Sequence, residues 1–128
     1  MYSYECLIEK AKEALENAYA PYSNFKVGAC ALFESGNIYT GCNVENASYG
    51  LSLCAERNAL SCAKASGETT KLTAIAVVSE TMQLCTPCGA CRQWIFEFSQ
   101  DAKVIVENAD KSLNVFEIKE LLPYGFNL

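Results

Sequence analysis

The sequence predicts an α/β fold, a three-layer α/β/α sandwich around a mixed, five-stranded sheet. Three observations carry this expectation. An amphipathic helical pattern opens the chain and is followed by two short strand-like runs with a turn between them. An apolar, β-branched run at 72–79 is too short for a helix and reads as a strand buried on both faces. From residue 54 onward, helical and extended patterns alternate, which favours parallel pairing with helices covering the sheet.

In order, residues 4–19 read as the first helix, with Leu7, Ile8, Ala11, Ala14, Leu15 and Ala18 recurring on one face. Ala20-Pro21-Tyr22-Ser23-Asn24 reads as a loop. Strands are predicted at 26–33 and 38–43, joined by the turn Glu34-Ser35-Gly36-Asn37. Residues 44–53 are polar, aromatic and irregular. A helix follows over about 54–65. After the strand at 72–79 come a loop at 80–88 and a helix over about 89–99. A strand at 103–107, a short strand near 113–116 and a short helix before Pro123 complete the chain.

The chain has 128 residues, enough for one domain with its own core, and no composition shift divides it. Its net charge is −5, and lysine and arginine do not cluster. An acidic, scattered surface argues against nucleic acid and for a small or neutral substrate. No apolar run approaches membrane-spanning length, and the start Met1-Tyr2-Ser3-Tyr4-Glu5-Cys6 lacks the pattern of a signal peptide. A cytoplasmic protein without membrane partners is expected. Eight cysteines in a reducing compartment point to metal ligands or buried thiols rather than disulfides. The chain has no histidine, so a transition-metal site must use thiolates or carboxylates, and histidine-based catalysis is excluded.

Two segments carry candidate chemistry: Cys54-Ala55-Glu56-Arg57 and Pro87-Cys88-Gly89-Ala90-Cys91. Each lies at the predicted start of a helix, where free N–H groups and the positive dipole end favour thiolate. Cys88 and Cys91 are about one turn apart and can address one point. Cys54, Cys88 and Cys91 around one zinc ion leave a fourth tetrahedral position open, as in a catalytic site. Three thiolates outweigh the charge of the metal and weaken it as a Lewis acid, so a nearby base is needed. Glu56 is placed for that role, and Arg57 can offset the negative charge by donating to the sulfurs. Other readings remain open from these residues alone. Cys88-Gly89-Ala90-Cys91 could be a redox pair, and Cys85 could complete a closed Cys₄ zinc site. Glu56 could be an ordinary first-turn glutamate, and Arg57 a solvated surface residue.

The pattern Cys54-x-Glu56 with Pro87-Cys88-x-x-Cys91 matches the signature of the zinc-dependent nucleobase deaminases. Together with residues 20–29, residues 41–49 and the ending Leu121-Leu122-Pro123-Tyr124-Gly125-Phe126, it resembles the short, all-cysteine cytidine deaminases of nucleotide salvage. The resemblance covers nearly the whole chain. It implies hydrolysis of cytidine and deoxycytidine with one zinc per subunit, in a homotetramer whose sites lie at subunit interfaces. It implies that Asn43 and Glu45 bind the ribose 3′-hydroxyl, and residues two apart at a strand end do point the same way. It further implies that Phe25 packs on the nucleoside, although the residue alone reads as core. By the same resemblance the Ala55 N–H meets the base and the Thr86 carbonyl meets the leaving amine. Ala47, Tyr49 and Phe126 would reach an adjacent subunit's site. Cys6, Cys30, Cys42, Cys62 and Cys85 gain no role and read as small buried or partly buried residues. A nucleoside-antibiotic deaminase, a nucleic-acid editing enzyme and a non-catalytic zinc module are the alternatives.

Overall fold

The structure is a computed structural model and describes residues 2–81 and 84–128. Its elements are α1 (Tyr4–Leu15), β1 (Val27–Phe33), β2 (Ile38–Cys42), α2 (Ala55–Ala65), β3 (Leu72–Ser79), α3 (Gly89–Phe98), β4 (Lys103–Glu107), β5 (Leu113–Glu117) and α4 (Ile118–Leu121). The strands form one sheet in the order β2-β1-β3-β4-β5. Only β3 and β4 run parallel; the other neighbours are antiparallel. The expected mixed, five-stranded sheet is therefore present, with parallel pairing in the second half. The expected loop at 80–88 includes Met82 and Gln83, which lie outside the described residues, as does Met1 of the predicted N-terminal pattern.

Alternation along the central strands builds the three layers. Cys30, Leu32, Ala74, Ala76, Val78 and Ile105 face α1 through Leu7, Ile8, Ala11 and Leu15. The intervening residues Ala29, Ala31, Phe33, Ile75, Val77, Val104 and Val106 face the other way, onto α2, α3 and α4. Both clusters are buried, so each face contributes its own hydrophobic burial.

Two glycines bring helices close to the sheet. A Cβ at Gly28 would lie 2.0 Å from the Ala11 carbonyl oxygen of α1. A Cβ at Gly41 would lie 2.4 Å from the Ala59 nitrogen and 2.5 Å from the Ala55 carbonyl oxygen of α2. Gly41 thus lets the first turns of α2 rest against β2, and the Asn58 side chain reinforces that seat by donating to the Cys42 carbonyl at 2.8 Å.

α1 departs from the sequence expectation by ending at Leu15, not at residue 19. Ser3 caps its start, accepting from the Cys6 N–H at 3.1 Å. At the other end, Tyr19 leaves the helix to pair with the segment after β2. Its N–H donates to the Asn43 carbonyl at 3.0 Å, and its carbonyl accepts from the Glu45 N–H at 2.9 Å. A tertiary pairing has overridden local helical periodicity. The irregular segment predicted at 44–53 contains one 3₁₀ turn, Tyr49–Leu51, and its ends Val44 and Leu53 exchange backbone hydrogen bonds.

Candidate active site

The N-terminal ends of α2 and α3 meet on one side of the sheet. Cys54 and Cys88 are the residues that immediately precede the two helices. Both have extended backbone, so their side chains lie beside the free N–H groups of the first turn. Cys91, one turn into α3, is fully buried. The sulfurs of Cys54, Cys88 and Cys91 all lie within 4.8 Å of one another, with Cys54 Sγ and Cys88 Sγ 3.9 Å apart. Three thiols converging in this way suit a soft, tetrahedral ion such as zinc with one position left over. Among the described residues Cys85 does not join this cluster, which removes the basis for a closed Cys₄ site.

The electrostatics favour thiolate at Cys54. A hydrogen bond from Cys91 holds the Cys54 thiol down to about 5, against the cost of burial and with further help from Arg57 and Cys88. Cys91 is pushed up in turn, because it donates to the Cys54 thiolate and burial disfavours a second negative charge. Arg57 supplies the nearby cation: its Nη2 donates to Cys54 Sγ at 3.3 Å. This is the contact expected of it from the sequence. Its Nε is buried without a partner.

Glu56 occupies the first turn of α2 and is 4% exposed. Burial pushes its carboxyl up to about 7, with the Cys54 thiolate adding to the rise. A carboxyl poised there can take up and release a proton near neutral pH. An ordinary first-turn glutamate would be solvated and would keep its usual value, so that reading fails on burial.

The cluster opens into a cavity of about 260 Å³ whose lining includes Phe25, Asn43, Glu45, Cys54, Glu56 and Thr86. Phe25 is 41% exposed and lies on the cavity wall, not in the core where its residue type alone would put it. Asn43 and Glu45 line the cavity and also shape it. The Asn43 Oδ1 accepts from the Val27 N–H and its Nδ2 donates to the Phe25 carbonyl, both at 2.8 Å. Glu45 accepts from the N–H groups of Tyr22 and Ser23 and from the Ser23 hydroxyl. The Ser23 hydroxyl bond, with those N–H groups, holds the Glu45 carboxyl below its usual range.

Ala55 is buried and opens α2 with its N–H at the free helix end. Ala47, Tyr49 and Phe126 are exposed and do not line the cavity of the single chain. Tyr49 instead packs edge-on against Tyr22, and the Phe126 carbonyl accepts from Gln93. Three cavity residues escaped the sequence reading. Ser23 grips Glu45, Val27 lines the wall, and Cys85 faces the cavity. Only the position of Ser23 inside the loop before Phe25 could have signalled it. Of the remaining cysteines, Cys30 is buried, with its thiol pushed up to about 12, whereas Cys6 and Cys42 are half-buried. Cys62 is exposed, which corrects the expectation of burial: it sits on the flank of α2, outside the buried stripe Ala59, Leu60 and Ala63.

Residues 1–108 match the family described as cytidine and deoxycytidylate deaminase zinc-binding region. The chain belongs to this family of zinc-binding deaminases. It is 46% identical over 123 residues to a cytidine deaminase of Halalkalibacterium halodurans, covering 95% of this chain and 92% of that one. It is 43% identical over 118 residues to a cytidine deaminase of Mycobacterium tuberculosis, covering 92% and 85%. The crystal structure of cytidine deaminase from Burkholderia pseudomallei superposes with a TM-score of 0.90 at 48% identity, covering 98% of this chain and all of that one. No helix among the described residues is long and apolar enough to cross a membrane.

Proposed function

We propose that this chain, acting as one domain, hydrolyses the 4-amino group of cytidine and deoxycytidine, giving uridine or deoxyuridine and ammonia in pyrimidine salvage. The observation that carries the reading is the convergence of Cys54, Cys88 and Cys91 beside a buried Glu56 at a cavity. One zinc per subunit, held by Cys54, Cys88 and Cys91, would acidify a water molecule and so supply the nucleophile. Glu56 accepts the proton of that water at its carboxylate and passes it to N3 of the pyrimidine. As the water oxygen bonds to C4, Glu56 takes the second proton from that oxygen and delivers it to the 4-amino nitrogen, and the C4–N bond breaks to release ammonia. A carboxyl lifted to about 7 suits both directions of transfer. Arg57 offsets the thiolate charge through Cys54.

Asn43 and Glu45 receive the ribose 3′-hydroxyl, Phe25 covers the nucleoside, and the Ala55 N–H and Thr86 carbonyl orient the base. The charge of the cavity supports a nucleoside over a nucleotide. Glu45 and Glu56 line it, and among the described residues no lysine or arginine does. A 5′-phosphate would enter beside the Glu45 carboxylate with no lysine or arginine among the described lining residues to meet it. The exposure of Ala47, Tyr49 and Phe126 supports a homotetramer in which they complete a neighbour's site. A cytoplasmic location follows from the same reading.

The test is the ultraviolet spectrum of cytidine, deoxycytidine and deoxycytidylate incubated with the zinc-loaded protein. Conversion of both nucleosides to their uracil forms, with the nucleotide unchanged, is expected. An inert protein with stoichiometric zinc would turn attention to a modified cytosine nucleoside. Preferred turnover of deoxycytidylate would overturn the choice of nucleoside.

A further inference from the structure

The loop that delivers Cys88 and Thr86 to the cavity must hold a defined shape, yet it lies outside any helix or strand. Arg92 supplies the restraint. It follows Cys91 near the N-terminal end of α3, where a cation opposes the helix dipole, so its position needs a compensating cause. None of the ion pairs among the described residues involves it. Its guanidinium instead grips three oxygens. Nε donates to the Pro87 carbonyl at 2.7 Å, Nη2 to the Thr86 hydroxyl at 3.2 Å, and Nη1 to the Leu121 carbonyl at 2.8 Å. The first two fix the two residues directly before Cys88. The third ties them to the last residue of α4, which is packed against α3.

We propose that Arg92 is a positioning residue for the reaction, which sets the Thr86–Pro87 backbone and thereby aims Cys88 and the Thr86 carbonyl, with α4 as its anchor. The proposal rests on the deaminase reading for its kinetic consequence but not for its structural one. The planar fork matters: a lysine ammonium at the end of a flexible stem cannot hold three oxygens on two segments in one geometry. A thiolate or carbonyl displaced by about 1 Å from a reacting centre costs on the order of 10²-fold in rate.

The experiment compares full-length wild type, Arg92→Lys and Arg92→Gln, each loaded with zinc for kinetics and with cobalt for spectroscopy. Expected in Arg92→Lys is a normal metal content and a kcat reduced by about 10²-fold, with KM changed far less. Altered thiolate-to-cobalt charge-transfer bands should accompany the loss. Arg92→Gln should be at least as impaired; if it fails to fold, Arg92→Lys carries the test. Wild-type kcat together with a wild-type cobalt spectrum in a folded Arg92→Lys protein overturns the proposal, whatever its melting temperature. If wild type itself leaves cytidine untouched, the deaminase reading fails. The cobalt spectrum then still decides for or against positioning by Arg92.

Discussion

The helix α2 has a buried glutamate at each end, and the two are opposites. Glu56 in its first turn is 4% exposed, and Glu68 just beyond its last turn is 6% exposed. Burial pushes Glu56 up to about 7. Glu68 is instead held down to about 2, foremost by the Thr70 hydroxyl and against the cost of burial. Ser35, Tyr39 and the Thr70 N–H add to that grip at 2.8, 2.9 and 3.1 Å, with Asn37 at 3.3 Å. The contrast teaches that burial does not by itself make a carboxyl an acid–base group. The supply of donors decides, and a carboxylate with five of them is a strut, whereas one facing a cavity and a thiolate is free to exchange its proton.

The comparison breaks most sharply with Glu56→Gln. The amide keeps the shape and removes proton transfer, so kcat should fall by at least ~10²–10⁴-fold while zinc content stays stoichiometric. Next, Arg57→Gln should lower metal affinity or activity by roughly 10–100-fold, since it removes the cation on Cys54 but no metal ligand. Competition with a chelator reads this directly. Gly41→Ala should destabilise the protein by at least ~1–3 kcal/mol, because the new methyl meets the backbone of α2 rather than a movable side chain. Denaturant unfolding measures that loss, and metal analysis should show weaker zinc retention as α2 shifts.

Glu68→Gln sharpens the other side and has the smallest effect. Turnover should persist while the melting temperature falls by a few degrees. The sign with pH is fixed by the direction of the shift. A carboxyl held below its ordinary 4.5 stabilises the fold above that value and loses the contribution as pH falls toward about 2. The gap in stability between wild type and Glu68→Gln should therefore be full above about pH 4.5 and close on acidification. A gap that widens in acid would contradict the strut.

The site was more legible in the sequence than the strut. Cys54, Glu56, Arg57, Cys88 and Cys91 sit at short spacings at two helix starts, and local periodicity locates helix starts well. The strands were legible for the same reason, since apolar runs and the turn at Gly36 are local signals. What escaped depends on distant partners. Glu68 finds Ser35, Asn37 and Tyr39 about thirty residues away. The end of α1 is set by Asn43 and Glu45, and the grip of Arg92 by Leu121. None of these pairings leaves a trace in nearby residues. Phe25 shows the same limit: an aromatic beside a strand reads as core until the cavity beside it is seen.

The most direct measurement of the central claim is the turnover of cytidine by zinc-loaded Glu56→Gln and Glu68→Gln side by side. Near-complete loss in the first and near-wild-type kcat in the second are predicted, with equal zinc in both. Comparable kcat in the two variants would contradict the division of labour between the ends of α2.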